Sequence, residues 1–385
     1  MSRLKLVFLT LLLALTGMIY AMGLPTDSSM IDVVNVLKYY RAIHVMAMLL
    51  VGFGFLMVFV RLYGRSALTA TFLLVSIAMP LYSFQAAFTP TGVATELIDK
   101  VILAEFAAAS LLICAGAVLG RLKMWQYLLL GLIFVPCYAI NEWITLAGGL
   151  GLIPAGEVMD TGGSIVIHAF GALFGLGAIF SLTTLKEYNT PVEADATSDR
   201  FSLFGSMILW VFWPSFCSAL VSPAEIPLTI ANVVFALCGS TLITYFVTVA
   251  IRGKIAPADI ANAALAGGVA IGSTCNHTNP GIAFIIGVMA GALSTFGFAF
   301  IQNRLQGWIK KIDTCGVLYL HGLPGLLGGL VALFVVSGIN PGSQLKGIGI
   351  TIVFGLIAGL ITGKVISLTG RRINPYNDEE ELLID

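Results

Sequence analysis

Apolar runs of about twenty residues dominate the sequence, and each is long enough to cross the hydrocarbon layer of a membrane as a helix. Twelve such runs begin near Leu4, Ile43, Ala67, Val101, Trp125, Ser164, Leu203, Ile226, Ile260, Ile282, Val317 and Ile348. Only 10% of the 385 residues are charged, against about 25% in ordinary soluble domains. The sequence therefore predicts an all-α, multi-pass membrane protein.

The first apolar run has two interpretations. Arg3 and Lys5 precede a Leu-rich stretch that ends near residue 21, as in a secretory signal peptide. Cleavage of residues 1–21 leaves 11 transmembrane helices in the mature chain, and retention gives 12. The rest of the chain then divides into a channel domain over 22–370 and a short tail over 371–385.

The basic residues favour one side of these predicted spans. With twelve spans, fifteen Lys and Arg residues fall at chain ends and loops on the side of the C-terminus, and four fall on the other side. This bias predicts a cell (inner) membrane protein whose C-terminus is cytoplasmic. Twenty basic residues balance twenty acidic ones, which argues against binding to nucleic acid.

Two segments of the sequence repeat. Residues 160–168 and 313–321 both read D-T-x-G-x-x-x-x-H, at an offset of 153, and residues 104–109 match 258–263 at an offset of 154. Each pair lies five spans apart, so the copies run in opposite directions through the membrane. This predicts an inverted-topology repeat with a substrate path at its interface. The predicted halves are about 40–183 and 200–340, followed by an extra helix near 348–367.

The two repeated histidines are predicted to meet. His168 and His321 each follow an Asp by eight residues, which is about 12 Å of helix, and they start from opposite faces of a layer about 30 Å thick. Polar side chains at that depth usually line a pathway or pair with each other. Desolvation disfavours imidazolium, and a neutral pair can share one N–H···N bond while keeping two nitrogens for a small polar guest. The alternative is a hydrogen-bonded pair that only joins two helices.

The acidic residues near the spans have mainly structural interpretations. Asp313 precedes its helix and is expected to cap it. Asp160 is equally suited to capping and to stabilising an incoming cation. For Glu105, Glu142 and Asp259 we expect a buried structural network. No third ligand suits a metal site at the histidines, and no cofactor motif or nucleophile–base pair is present, so the sequence predicts neither an enzyme nor a bound metal or cofactor.

The motifs as a set resemble the ammonium transporter family (Amt/Mep/Rh), and specifically its Rhesus-type branch, as in bacterial Rh ammonia channels. The similarity runs in family order from about residue 40 to residue 370. The motifs that carry it are His44–Met46, Val51–Met57, Gly162–Ser164, Ile167–Ala172, Trp213–Phe216, Leu265–Ala270, Asp313–Gly316 and Leu320–Gly325.

This resemblance implies a homotrimer in the lipid bilayer with one pore per subunit. It implies conduction of ammonia (NH3), formed when ammonium (NH4+) loses its proton at the outer vestibule. By motif, His168 and His321 correspond to the twin pore histidines, and Phe106 and Phe216 to the paired aromatic gate. Asp160 corresponds to the acid that supports ammonium uptake. The counterpart of that acid in the other repeat is Asp313.

The sequence also departs from the family pattern. Cys217 follows Phe216 where Rhesus-type relatives often have Asn, and the aromatic recruitment cage of the Amt branch is not recognisable. We therefore expect a low-affinity, bidirectional channel. The alternatives are an electrogenic transporter that moves NH3 together with H+, a CO2 channel, and a structural or sensory protein without flux. The last is disfavoured because a scaffold has no need of polar groups in mid-membrane.

Overall fold

We describe the fold from a computed structural model, which describes residues 33–84 and 97–383. The first apolar run, with its predicted signal peptide or first helix, lies outside the described residues. Within the described ranges every regular element is helical, which confirms the predicted all-α class. Apart from the three-residue stretch Gly54–Leu56, we number fourteen α-helices in these ranges: α1 Val33–Ala47, α2 Gly64–Ser83, α3 Leu97–Ala117, α4 Met124–Leu146, α5 Phe170–Leu182, α6 Leu185–Asn189, α7 Ala196–Cys217, α8 Ile226–Arg252, α9 Pro257–Ala263, α10 Ala266–Ile271, α11 Pro280–Phe296, α12 Gln302–Ile309, α13 Leu323–Val335 and α14 Pro341–Ser367.

Several of these helices continue through other helical turns into full membrane spans. Eight segments in the described part of the chain are long and apolar enough to cross a membrane: Val36–Phe59, Gly64–Ser83, Met124–Leu146, Ser164–Leu182, Ile226–Arg252, Pro280–Ile309, Leu318–Val335 and Pro341–Ser367. Helices α3 and α7 and the α9–α10 pair account for the other predicted runs between residues 97 and 275. The protein is therefore a multi-pass membrane protein, and the exact number of 11 or 12 spans stays a prediction.

Some helices begin earlier than the apolar pattern predicts, because polar residues form their first turns. Asp195 caps α7, accepting hydrogen bonds from the Thr197 and Ser198 amides at 2.9 and 2.8 Å. Asn340 caps α14 through the Gly342 amide at 3.1 Å. Helix ends of this kind are fixed by capping rather than by hydropathy, so a hydropathy pattern places them several residues late.

The C-terminal tail is held against one face of the helix bundle, which we call the tail face; the opposite face is the distal face. Asp378 accepts hydrogen bonds from the Arg65 and Ser66 amides, at 3.1 and 2.8 Å, and so caps α2. The Tyr376 amide donates to the Gly120 carbonyl at 2.9 Å. The guanidinium of Arg372 is buried, 5.0 Å from the centre of the Tyr63 ring. The tail thus takes its structure from these contacts.

Candidate functional site

Each copy of the D-T-x-G repeat forms the same tight turn. Gly163 and Gly316 have φ values of 75° and 67°, in the left-handed region that glycine adopts without strain. Their amides donate to the carbonyls of Asp160 and Asp313, at 3.0 and 3.3 Å. The turn returns the chain on itself and places each Asp side chain over the start of the following helix.

Both aspartates cap those helices. Asp160 accepts hydrogen bonds from the Ile165 and Val166 amides, at 3.0 and 2.8 Å, and from the Ser273 hydroxyl at 2.7 Å. Burial raises the pKa of Asp160 to about 6, against the opposing effect of these hydrogen bonds.

Asp313 accepts from the Val317 and Leu318 amides, both at 3.0 Å. Burial likewise raises the pKa of Asp313. The predicted capping role of Asp313 is confirmed.

The histidines follow in unusually wide helical turns. His168 lies in a π-helical turn, Ser164–Ala169, and His321 lies in another, Leu318–Gly322. Such π turns are rare and are frequent at functional sites. The two Nδ1 atoms are 3.2 Å apart and the ring planes differ by 6°. The prediction that the two imidazoles are neighbours is confirmed.

A neutral pair in this geometry has a fixed hydrogen-bonding pattern. If one Nδ1–H donates to the other Nδ1, one ring keeps an acceptor at Nε2 and the other keeps a donor there. The Nε2 atom of His168 is buried and has no hydrogen-bond partner within the described ranges. The pair therefore presents an unused polar atom inside an apolar interior.

Aromatic rings surround the pair on its distal side. The Trp213 indole lies over the His168 ring, with centroids 5.5 Å apart and planes within 20°. Phe106 and Phe216 lie 4.6 Å apart between centroids, and the Phe216 ring is 6.0 Å from that of His168. The structure thus brings together four of the residues predicted from the sequence: the two phenylalanines and the two histidines.

Cavities lie on both sides of these rings. A cavity of about 580 Å³ opens at the distal face, and Phe106 and Asp160 line it. A cavity of about 10 Å³ lies beside Phe216 and His168, and Ala109 and Trp213 also line it. A third, of about 20 Å³, lies beyond His321. The two inner cavities are each about the size that one water molecule needs, so the path is narrow. The side chains that line them are mostly apolar.

The sequence model of the Ammonium Transporter Family matches residues 6–384. The chain belongs to this family. Ammonium transporter Rh type A of Bos taurus is 35% identical over 359 residues, which are 89% of this chain and 82% of that protein. Ammonium transporter Rh type B of Oryctolagus cuniculus is 38% identical over 326 residues, 81% of this chain and 68% of that protein. The resemblance found in the sequence is confirmed, and membership makes the protein a membrane channel or transporter for ammonia or ammonium.

Solved structures agree with this assignment. The structure of Nitrosomonas europaea Rh50, described with the mechanism of conduction by the Rhesus protein family of channels, is 53% identical to this chain. Its TM-score is 0.87, with 90% of this chain and 92% of that chain covered. A Sensor Amt Protein is 18% identical with a TM-score of 0.73 over 87% of this chain and 92% of that chain, and it shares the fold.

Two titratable residues that line the distal cavity of this family member were not predicted as site residues. Glu142 lines the cavity and accepts hydrogen bonds from the hydroxyls of Tyr82 and Tyr138, the second at 3.2 Å. The network predicted for Glu142 is therefore present, but it also faces the path. His277 lines the same cavity. No motif in the sequence connects either residue to Asp160, because they reach the cavity from separate segments.

The other predicted acids differ in their surroundings. Asp259 is held by Arg252, with Nε at 2.7 Å, and by the Thr248 hydroxyl at 2.7 Å, as the predicted network requires. Glu105 is 1% exposed, and its Oε2 atom has no hydrogen-bond partner among the described residues. The two acids occupy matching positions in the sequence repeat, so the repeat does not preserve their partners.

Proposed function

We propose that the protein is a channel that conducts neutral ammonia, with ammonium losing its proton at the distal cavity. The observation that carries the proposal is the hydrogen-bonded pair of His168 and His321 in a narrow apolar lumen, with the buried Nε2 of His168 unpartnered. Ammonia both donates and accepts hydrogen bonds. The free nitrogens of a neutral pair offer one donor and one acceptor, and they offset part of its lost hydration.

The lumen favours the neutral species. Its two cavities, of about 10 and 20 Å³, have no space for the hydration shell of an ion, and the described residues that line them include no carboxylate. An unpaired charge in such surroundings is costly. Ammonia avoids this cost, whereas ammonium would have to leave its water without a counter-charge.

The remaining predicted residues take roles at the two ends of the lumen. Phe106 and Phe216 form a gate that separates the distal cavity from the histidines. Asp160 supports ammonium uptake through its negative charge rather than by direct binding, because its oxygens already accept four hydrogen-bond contacts. Glu142 adds a second carboxylate to the same cavity. Asp313 is the counterpart of Asp160 near the tail face.

The proposed setting is the cell (inner) membrane, with the tail face in the cytoplasm and three copies of the chain in a homotrimer, each with its own pore. The bias of fifteen basic residues to four between the predicted sides supports this orientation. Large apolar side chains on the outside of the bundle, such as Val211, Phe246 and Val353, suit contact with lipid or with another subunit. The channel domain is proposed to be 22–370.

Reconstituted protein tests the function. Proteoliposomes receive an ammonium gradient while internal pH and membrane current are recorded together. We expect rapid alkalinisation without current in the wild type, and its loss in the His168→Ala/His321→Ala variant. His44→Ala is a matched control, since His44 bonds to the Ser215 hydroxyl at 2.9 Å, away from the pore pair.

The other outcomes separate the alternatives. A current that scales with the ammonium gradient would mean that H+ crosses with NH3, and the histidines would then serve as a proton relay. No response above empty liposomes would refute ammonia conduction, and the same vesicles would then be tested for CO2 flux. A folded double variant with wild-type flux would show that the histidines do not line the path.

A further inference from the structure

Two of the six cysteines lie side by side next to the aromatic gate. Cys217 is the last residue of α7 and follows Phe216 directly, whereas Cys275 follows a 3-10 turn, Gly272–Thr274, between α10 and α11. Their thiols are in hydrogen-bonding contact, and the two residues are 2% and 0% exposed. The proposed passage of ammonia uses neither thiol.

A close crossing of the backbone fixes the position of the pair. The Gly162 amide donates to the Gly272 carbonyl at 2.8 Å, and a Cβ atom on Gly162 would lie 2.9 Å from the Cys217 Sγ. Side chains three residues apart in a 3-10 turn eclipse each other, so Cys275 lies on the same face of its turn as Gly272. The crossing therefore presents the Cys275 thiol to the sulfur of Cys217.

The segment that carries Cys275 is firmly held. The Ser273 hydroxyl donates to Asp160 at 2.7 Å, and the Ser273 amide donates to the Ser164 hydroxyl at 2.8 Å. From α8, the side-chain amide of Asn232 donates to the Cys275 carbonyl at 2.8 Å. A covalent link between the cysteines would therefore draw the end of α7 toward this segment rather than the reverse.

The end of α7 has fewer such restraints, and it carries the gate. Pro214 lies in its last turn and has no N–H for the helical ladder. Phe216 and Cys217 complete that turn, and the Phe216 ring packs on Phe106 with centroids 4.6 Å apart. Passage of ammonia between these two rings requires them to separate, so restraint on Cys217 should restrict the gate.

The pair lies close behind the wall of the distal cavity. Thr161 and Gly163 line that cavity of about 580 Å³, and Gly162, between them, packs on Cys217. A single residue thus separates the thiol from open space, which admits a small oxidant and excludes a bulky one. The distal face is proposed to lie outside the cytoplasm, where disulfides form and persist.

We propose that Cys217 and Cys275 are a modification site, at which hydrogen peroxide converts the two thiols into a disulfide that restricts the Phe216 gate. A covalent S–S bond is shorter than any contact between two separate sulfur atoms, so its formation pulls on the last turn of α7. The effect on flux rests on the proposed ammonia conduction, whereas formation of the bond does not.

The oxidation proceeds in two balanced steps. The Cys217 sulfur attacks one oxygen of hydrogen peroxide; an S–O bond forms, the O–O bond breaks, and the thiol proton leaves with the released hydroxyl group as water. The Cys275 sulfur then attacks the sulfur of this sulfenic acid; the S–S bond forms, the S–O bond breaks, and the second thiol proton leaves with the hydroxyl group as water. The two sulfurs lose two electrons, which reduce the peroxide.

Peptide mass spectrometry tests whether the bond forms. Proteoliposomes are treated with hydrogen peroxide, free thiols are blocked with N-ethylmaleimide after unfolding, and the protein is digested. We expect a linked peptide that contains Cys217 and Cys275, lighter by two hydrogen atoms than the two separate peptides. Cys238→Ser, which removes a half-buried cysteine on α8, should retain this peptide, and Cys275→Ser should lose it. Oxidation of Cys238 without any linked peptide would overturn the site.

Flux measured on the same vesicles tests the effect on the gate. Internal alkalinisation after an ammonium gradient should slow severalfold as the oxidised fraction increases. Cys217→Asn, which introduces the residue that Rhesus-type relatives often have there, and Cys275→Ser should both keep their flux after peroxide. An equal loss of flux in these variants would assign the effect to another thiol, such as Cys315 beside the lumen, and overturn the proposal. A linked peptide with unchanged flux would reject the restraint on the gate.

The two measurements fail independently. A linked peptide in a protein whose reduced form conducts no ammonia would retain the modification site and reject the proposed function. Ammonia flux without a linked peptide, at peroxide concentrations that oxidise the half-buried cysteines, would retain the channel and reject the site.

Discussion

Gly325 lies where α13 crosses the π turn that carries His168, and it has no space for a methyl group. A Cβ atom there would lie 2.4 Å from the Ser164 carbonyl oxygen and 3.0 Å from the Ala169 amide nitrogen. Both are backbone atoms, which cannot move aside as a flexible side chain could. Ordinary contact begins at 3.4 Å, so Gly325→Ala should push the two segments apart by about 1 Å.

This displacement should reach the histidine pair. His321 lies four residues before Gly325, one helical turn away, and should move with it. The Nδ1–Nδ1 distance of 3.2 Å would then open to about 4 Å, beyond hydrogen-bonding range. Overpacking of this kind costs about 1–3 kcal/mol, and a lost neutral hydrogen bond costs about 0.5–1.5 kcal/mol. The second figure corresponds to a fall in ammonia flux of about twofold to twelvefold.

Stopped-flow measurement of internal pH in proteoliposomes, with thermal unfolding of the purified protein in detergent, checks both effects. Gly349→Ala is the matched control, because this glycine is also inside a long helix and a Cβ there would meet no atom within 4 Å. Its flux and stability should match the wild type. A Gly325→Ala protein with wild-type flux and melting temperature would refute the argument that this crossing sets the spacing of the pair.

Three further predictions concern the ends of the path and the tail. Phe216→Ala should change flux from the distal face more than it changes the melting temperature, because the ring closes a cavity; loss of folding without a separable flux effect would contradict the gate. Ser273→Ala removes a donor that stabilises the charged form of Asp160, so the pKa of Asp160 should rise from about 6. The half-saturation concentration for ammonium at the distal face is expected to increase as the pH falls through that pKa. In the variant this increase should occur at a higher pH than in the wild type. An unshifted pH profile would exclude Asp160 as the titrating group. Asp378→Ala removes the cap of α2 and should cost about 1 kcal/mol, seen as a lower melting temperature and faster proteolysis of the tail; wild-type stability would mean that the cap is dispensable.

The sequence was sufficient to predict the central part of the site. The length of the apolar runs predicted the class of fold, and the separation of the D-T-x-G copies by five spans, an odd number, implied opposite orientations. Eight residues of helix from either face then placed His168 and His321 at similar depth. Each step depends on geometry that every transmembrane helix shares, which is why the two imidazoles could be predicted to meet.

The cavity at the distal face could not be predicted in this way. Glu142 approaches Asp160 from a different helix, and His277 approaches from the segment between α10 and α11. Such proximity depends on how helices pack against each other, and no local pattern records it. The docking of the tail has the same origin, since Arg372 bonds to the Leu122 carbonyl, 250 residues away, and Asp378 bonds to the Ser66 amide in the first turn of α2, 312 residues away.

The proposed mechanism therefore has a symmetric lumen with asymmetric ends. The repeat supplies both aspartate caps and both histidines, so the lumen presents matching groups to ammonia from either direction. Asp160, proposed to support ammonium uptake, belongs to the repeat, but Glu142, the second carboxylate of the distal cavity, lies outside the repeated motifs. Substitutions at one mouth should consequently change the half-saturation measured there without altering the lumen. Equal low-concentration flux in the two directions, together with unequal half-saturation, is the kinetic signature that this arrangement requires.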